Sequence, residues 1–102
     1  MMTTIRDNAA ESRWELLVDG TLAVFAAYRD TAVSRAGHDG NRRTFTHTET
    51  QEGFDGQGLA SELVKAALDD AKARGLEINP VCPFVRGYLD RHPEYGVSSG
   101  SG

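Results

Sequence analysis

The sequence contains a single cysteine, Cys82, so no internal disulfide can form, which suits a reducing compartment. No apolar run approaches the roughly 20 residues of a membrane-spanning helix. The first residues, Met-Met-Thr-Thr-Ile-Arg-Asp-Asn, lack the apolar core of a secretory leader. Positive charge is not in excess either: 11 Lys and Arg stand against 15 Asp and Glu, a net charge of −4 and a pI near 5.2. A nucleic-acid surface usually needs a basic face, so that class of partner is disfavoured. None of the histidines has metal-ligand spacing with Cys82, so no metal is expected. These absences together predict a cytoplasmic protein without nucleic-acid or membrane partners. They leave room for an anionic small ligand, which backbone amides can bind without net positive charge.

What remains is one domain's worth of chain: 102 residues, 39% hydrophobic and 25% charged. Residues 1–11 are polar without a clear period and read as a loose lead-in. Residues 12–95 carry the domain, and the Gly/Ser-rich stretch 96–102 reads as a flexible tail. Trp14, Leu16 and Val18 alternate with Glu15, Leu17 and Asp19 as in a strand. Asp19-Gly20 is a two-residue hairpin signal, because both positions of a type I′ turn need positive φ. Residues 21–29 return as a second strand that looks covered on both faces. Residues 30–41, with Gly37 and Gly40, read as a loop. Residues 42–49 form a third strand, with Phe45, His47 and Glu49 on one face and Thr44, Thr46 and Thr48 on the other. Ala60, Leu63, Val64, Ala67, Leu68 and Ala71 recur in steps of three and one, the stripe of an amphipathic helix ended by Gly75. Residues 76–81 form a short strand. A strand–helix–strand crossover sets it parallel to its predecessor. Pro83 suits the first position of a last helix, broken at His92-Pro93.

The stretch 47–71 carries the chemistry. A strand runs through Gly53, Gly56 and Gly58 into the main helix, so several N–H groups converge at the positive end of a helix dipole and favour an anion, phosphate above all. A P-loop would need Lys after Gly58, but Leu59 and Ala60 follow. A dinucleotide fingerprint would need a third glycine where Ser61 stands, and a first βαβ unit where antiparallel strands stand. Asp55 beside the turn is either a repelling charge or a cap for the free helix.

The order of these elements, with Gly56-Gln57-Gly58-Leu59-Ala60, resembles the GNAT superfamily of N-acetyltransferases. The spaced motifs His47-Thr48-Glu49, Gly56 through Ser61, Pro80-Val81-Cys82-Pro83-Phe84-Val85, and Tyr88 with Arg91-His92-Pro93-Glu94-Tyr95 resemble its short stand-alone members. Gly53 departs from the Gln or Arg usual at that place. The resemblance implies a minimal GNAT-like α+β fold, with a mixed, mainly antiparallel sheet, a strand–helix–strand crossover and a C-terminal helix. The N-terminal helical pair and last strands of larger members are not expected.

The resemblance further implies acetyl-CoA as cofactor and an unidentified small or peptidyl amine as acceptor. Thr48 and Thr50 would line the pantetheine arm. Phe54, Asp55, Gly56, Gln57, Gly58, Leu59 and Ala60 would hold the pyrophosphate, and Asn79 and Phe84 would approach the thioester. For catalysis the candidates are Cys82, His47 and Glu49. Cys82 at a helix N-terminus is either an activated nucleophile or a small buried packing residue. His47 and Glu49 could take a proton from an amine, or His47 could be a satisfied structural histidine. The alternative to an enzyme is a non-catalytic acyl-CoA-binding module or sensor, and either would be a monomer or weak homodimer.

Overall fold

The computed structural model describes residues 2–35 and 38–96. The chain runs β1 (Thr3–Asn8), a 3-10 turn (Ala9–Glu11), β2 (Arg13–Val18), β3 (Thr21–Arg35), β4 (His38–Thr50), α1 (Leu59–Ala73), β5 (Glu77–Pro80), α2 (Pro83–Arg91) and a second 3-10 turn (Pro93–Tyr95). The strands form one sheet in the order β1-β2-β3-β4-β5. The first four are antiparallel neighbours, and β5 lies parallel to β4.

The β2–β3 turn follows its residues: Asp19 and Gly20 have φ of 49° and 84°, both left-handed as the tight hairpin demands. In α1, Leu63, Val64, Ala67, Leu68 and Ala71 are all buried, and Ala60 is partly so. Gly75, at φ 71°, follows the helix end. Asp70 accepts from Arg74 at 2.8 Å, an acid-first pair one turn apart.

Both helices pack on the same face of the sheet. Val64, Leu68 and Ala71 of α1 meet Val85, Tyr88 and Leu89 of α2 over Tyr28, Phe45 and Ile78. Leu59 and Leu63 reach Leu16, Val18 and Val24 in a second cluster. The opposite face carries no helix among the described residues, so the expectation that β3 is covered on both faces is corrected: Phe25 and Ala27 are only half-buried.

Three further expectations are revised. The supposed lead-in contains β1, which pairs with β2 from Thr3–Val18 to Asn8–Arg13. Its partner β2 follows directly across residues 9–12, but Ile5 is the one large apolar residue in Thr3–Asn8, so no local period reveals it. Residues 30–35 and 38–41 are strand, not loop: β3 and β4 pair as far as Arg35 and His38. Gly37 lies outside the described residues, as does the expected tail beyond Gly96. Finally, Phe45 does not share a face with His47. Ala27 stands opposite His47 and the next residue, Tyr28, opposite Phe45, so Thr46 is an extra residue in β4. Such a bulge changes which face the following side chains take.

Candidate functional site

The bulge coincides with the end of the β4–β5 pairing. The parallel register stops at Phe45–Pro80, and Cys82 N donates to Phe45 O at 2.8 Å. Beyond that point β4 continues to Thr50 paired only with β3, so β4 and β5 part, and the slot between them is bridged where Cys82 Sγ meets Thr48 Oγ1 at 3.4 Å.

At the end of the slot the turn before α1 opens a cavity of about 190 Å³. It is lined by Thr50, Phe54, Asp55, Gly56, Gly58, Leu59, Ala60, Ser61 and Phe84. Gly56 and Gly58 have φ of 76° and 73°, a left-handed backbone that other residues adopt only under strain. Gly58 is the N-cap of α1, and no side chain caps the helix. Asp55 is therefore exposed at the cavity rather than capping, which settles its two readings against the cap. The first helical bond runs from Glu62 N to Gly58 O at 3.2 Å. The N–H groups before it are those a helix cannot satisfy internally. A Cβ built on Gly56 or Gly58 would meet nothing within 4 Å and would project into open space. This is a backbone cradle at a positive helix end, and it fits a diphosphate group. Ser61 belongs to it too. Its place in the first helical turn was a legible signal, but its failure to be a third glycine drew attention away from its hydroxyl.

The structure does not bring all the sequence candidates together. Thr50, Phe54, Asp55, Gly56, Gly58, Leu59, Ala60 and Phe84 line the cavity, whereas Thr48, Gln57 and Asn79 do not. Asn79 Nδ2 donates to Thr44 Oγ1 at 3.2 Å, across the parallel pair. Cys82 is the N-cap of α2, as expected, with Pro83 following. It is only 3% exposed, and its Sγ donates to Thr48 Oγ1 at 3.4 Å. The side chain thus packs against β4 within the apolar cluster.

His47 and Glu49 lie on the other face of β4, beside Ala27 and Phe25 of β3, and both are exposed. His47 Nε2 is 3.3 Å from Glu49 Oε1, and Gln51 Nε2 donates to Glu49 Oε2 at 3.1 Å. The bond with His47 first, and that from Gln51 second, hold the Glu49 carboxyl below the usual carboxylate range. The His47 ring tilts against Phe25 with centroids 5.9 Å apart.

The same face carries a charge ladder that sequence reasoning passed over. Glu15 is 2% exposed, although no helix among the described residues covers it. Arg6 Nε and Arg13 Nε each donate to it at 2.7 Å, and Asn8 Nδ2 does so at 3.2 Å. Burial pushes the Glu15 carboxyl up, but the bonds from Arg6, Arg13 and Asn8 outweigh it and hold it below its ordinary value. The Arg13 guanidinium also lies 4.8 Å from the centre of the Phe25 ring. The alternation of Arg13, Trp14 and Glu15 could have shown that arginine and acid share a face. Arg6 could not be placed without β1.

A five-stranded mixed sheet, parted beside a glycine-opened helix, has the architecture of the acetyltransferases. A ribosomal-protein-alanine N-acetyltransferase from Brucella melitensis biovar Abortus 2308 superposes with a TM-score of 0.64, over 88% of this chain and 62% of that one, at 20% identity. A predicted acetyltransferase with acetyl-CoA from Clostridium acetobutylicum gives 0.55, over 78% and 55%, at 18% identity. In sequence, Protein NATD1 of Xenopus tropicalis is 34% identical over 47 residues, spanning 46% of this chain and 43% of that protein. Residues 13–98 match the family described as GCN5-related N-acetyl-transferase. The chain belongs to that family. Among the described residues, no helix is long and apolar enough to cross a membrane.

Proposed function

We propose that this protein is an acetyl-CoA-dependent N-acetyltransferase acting on a small or peptidyl amine. The observation that carries the proposal is the backbone cradle of Gly56, Gly58 and the first turn of α1, opening beside the slot where β4 and β5 part. The cradle would hold the diphosphate through N–H groups and the helix dipole. Thr50, Phe54 and Phe84, around the same cavity, would pack against the rest of the cofactor. Bound acetyl-CoA supplies an activated acetyl thioester.

His47 and Glu49 stand where an amine approaching from the helix-free face would meet them. Glu49, anionic at neutral pH, attracts the ammonium form, and either residue can accept its proton, directly or through water. Cys82 serves packing in this reading, because its thiol is buried and already donates to Thr48.

A second reading, a non-catalytic acyl-CoA-binding module, draws support from the same separation: the candidate proton acceptors and the cradle lie on different faces of β4. Calorimetry with acetyl-CoA, CoA, ATP and NAD tests what the readings share, and binding of ATP or NAD without CoA would end both. Incubation with acetyl-CoA and a panel of amines, read as released thiol and acetylated product, then separates them. Tight CoA binding without turnover would favour the module.

A further inference from the structure

We infer that Asp55 is a specificity residue of the cradle: it selects a diphosphate esterified at both ends, as in CoA, against a diphosphate that ends in a free phosphoryl group. The inference rests on the acetyl-CoA reading of the cradle, which it extends to the form of diphosphate admitted. Two features of the turn have no role in that reading as it stands. Gly53 occupies the place where Gln or Arg is usual, and Asp55 puts a carboxylate on the cavity wall. Asp55 is exposed, does not cap α1, and has no hydrogen-bond or ion-pair partner among the described residues.

Charge around the cradle is one-sided. The other lining residues are neutral, so Asp55 is the single charged side chain on the wall. Residues 44–64 contain no Lys or Arg. Lys65, the first cation along α1, is bound to Asp69 at 2.8 Å. On α2, Arg86 follows Phe84 by two residues but does not line the cavity. Attraction therefore comes from backbone N–H groups, the Ser61 hydroxyl and the dipole of α1, whose end carries roughly half a unit charge. Against it stands the full charge of the Asp55 carboxylate. The balance then depends on how a ligand carries its own charge. In a diphosphate esterified at both ends, each phosphoryl group carries one negative charge at neutral pH. A terminal phosphoryl group approaches two, because its second proton is lost at about pH 6. That extra charge meets Asp55 with no cation on the wall to offset it. A cradle lined by Lys or Arg would reward the extra charge, and this one penalises it. Nucleoside di- and triphosphates are thus turned away by charge and not by shape, since the space beside Gly56 and Gly58 is open.

The test compares CoA with adenosine 3′-phosphate 5′-diphosphate, which is CoA cut back to a free diphosphate. Both are titrated without divalent cations into the full chain, Asp55→Asn and Asp55→Glu. Dissociation constants are read from the Gly56 and Gly58 backbone amide shifts in NMR. The missing pantetheine contacts are common to all three proteins and cancel when the mutational effects on the two ligands are compared. Asp55→Asn is expected to tighten the free diphosphate at least about fivefold more than it tightens CoA. Asp55→Glu, which keeps the charge, should retain most of the wild-type preference. Raising ionic strength from about 0.02 M to about 0.5 M should shrink the difference between wild type and Asp55→Asn. Equal tightening of both ligands, no tightening of either, or an effect that ignores salt overturns the inference while leaving CoA in the cradle. CoA binding that leaves the Gly56 and Gly58 amides unmoved refutes the cradle reading, and the inference with it.

Discussion

The two faces of β4 are built by different means. On the helix side, the cradle before α1 is made of backbone: left-handed Gly56 and Gly58 and the free N–H groups of a helix end. On the open side, the surface is made of side chains tied in pairs, Arg6 and Arg13 to Glu15 and His47 to Glu49. A backbone site needs only the fold and a few glycines. The fold is accordingly shared with acetyltransferases at 18–20% identity. A side-chain surface depends on the identity of each residue and can vary within a common fold. The bulge at Thr46 lets one strand serve both, since it turns Phe45 toward the helices and His47 away from them.

The largest expected effect comes from breaking the joint between the two faces. Phe45 is 1% exposed, and its carbonyl accepts from Cys82 N. Phe45→Ala should cost about 3–5 kcal/mol in urea unfolding, by lost burial and the cavity left behind. A loss below about 1 kcal/mol would mean that the bulge is not anchored there.

Glu15→Gln probes the open face. Replacing a carboxylate that holds two arginines should lower stability at pH 7 by about 1–3 kcal/mol. Its pH dependence has a definite sign. The folded carboxyl lies below the ordinary value of 4.5, so its contribution is present above that value and is lost as pH falls through the folded one. The gap between wild type and variant should therefore close on acidification below about pH 4, a little under the unfolded Glu value. A constant gap from pH 7 to pH 3 would show that the ladder is not ionic.

Gly58→Val probes the other face. It forces a β-branched residue to φ 73° and fills the cradle, so CoA affinity in calorimetry should fall at least tenfold, or about 1.4 kcal/mol. Unchanged affinity would remove the diphosphate from this turn. Cys82→Ala should have the smallest effect. Acetyl transfer should persist, with a stability loss of about 1 kcal/mol from the missing sulfur and its bond to Thr48. Abolished transfer in a folded variant would restore Cys82 as an acyl acceptor.

Residue patterns that act over a turn or two were legible in the chain. The stripe of α1, the Asp19-Gly20 hairpin, the glycine turn, Pro83 at the start of α2 and the parallel crossover all follow from local periodicity and backbone preference. That was enough to locate the glycine turn and the start of α1, because they are built from consecutive residues. The candidates that moved depend on pairing between distant strands. Thr48 and Asn79 are engaged by Cys82 and Thr44 rather than lining the cavity, and no local period encodes those partners.

Sequence by itself determined the helix, the hairpin turn and the glycine-rich entry to α1, since each is dictated by φ/ψ preference and spacing over neighbouring residues. Only the tertiary structure decided that β1 exists as a strand, that Thr46 is an inserted residue, and that His47 and Glu49 stand with Arg13 and Phe25 on the open face. The physical reason is register. A one-residue offset between strands exchanges the two faces of everything beyond it, and that offset is set by partners many residues away.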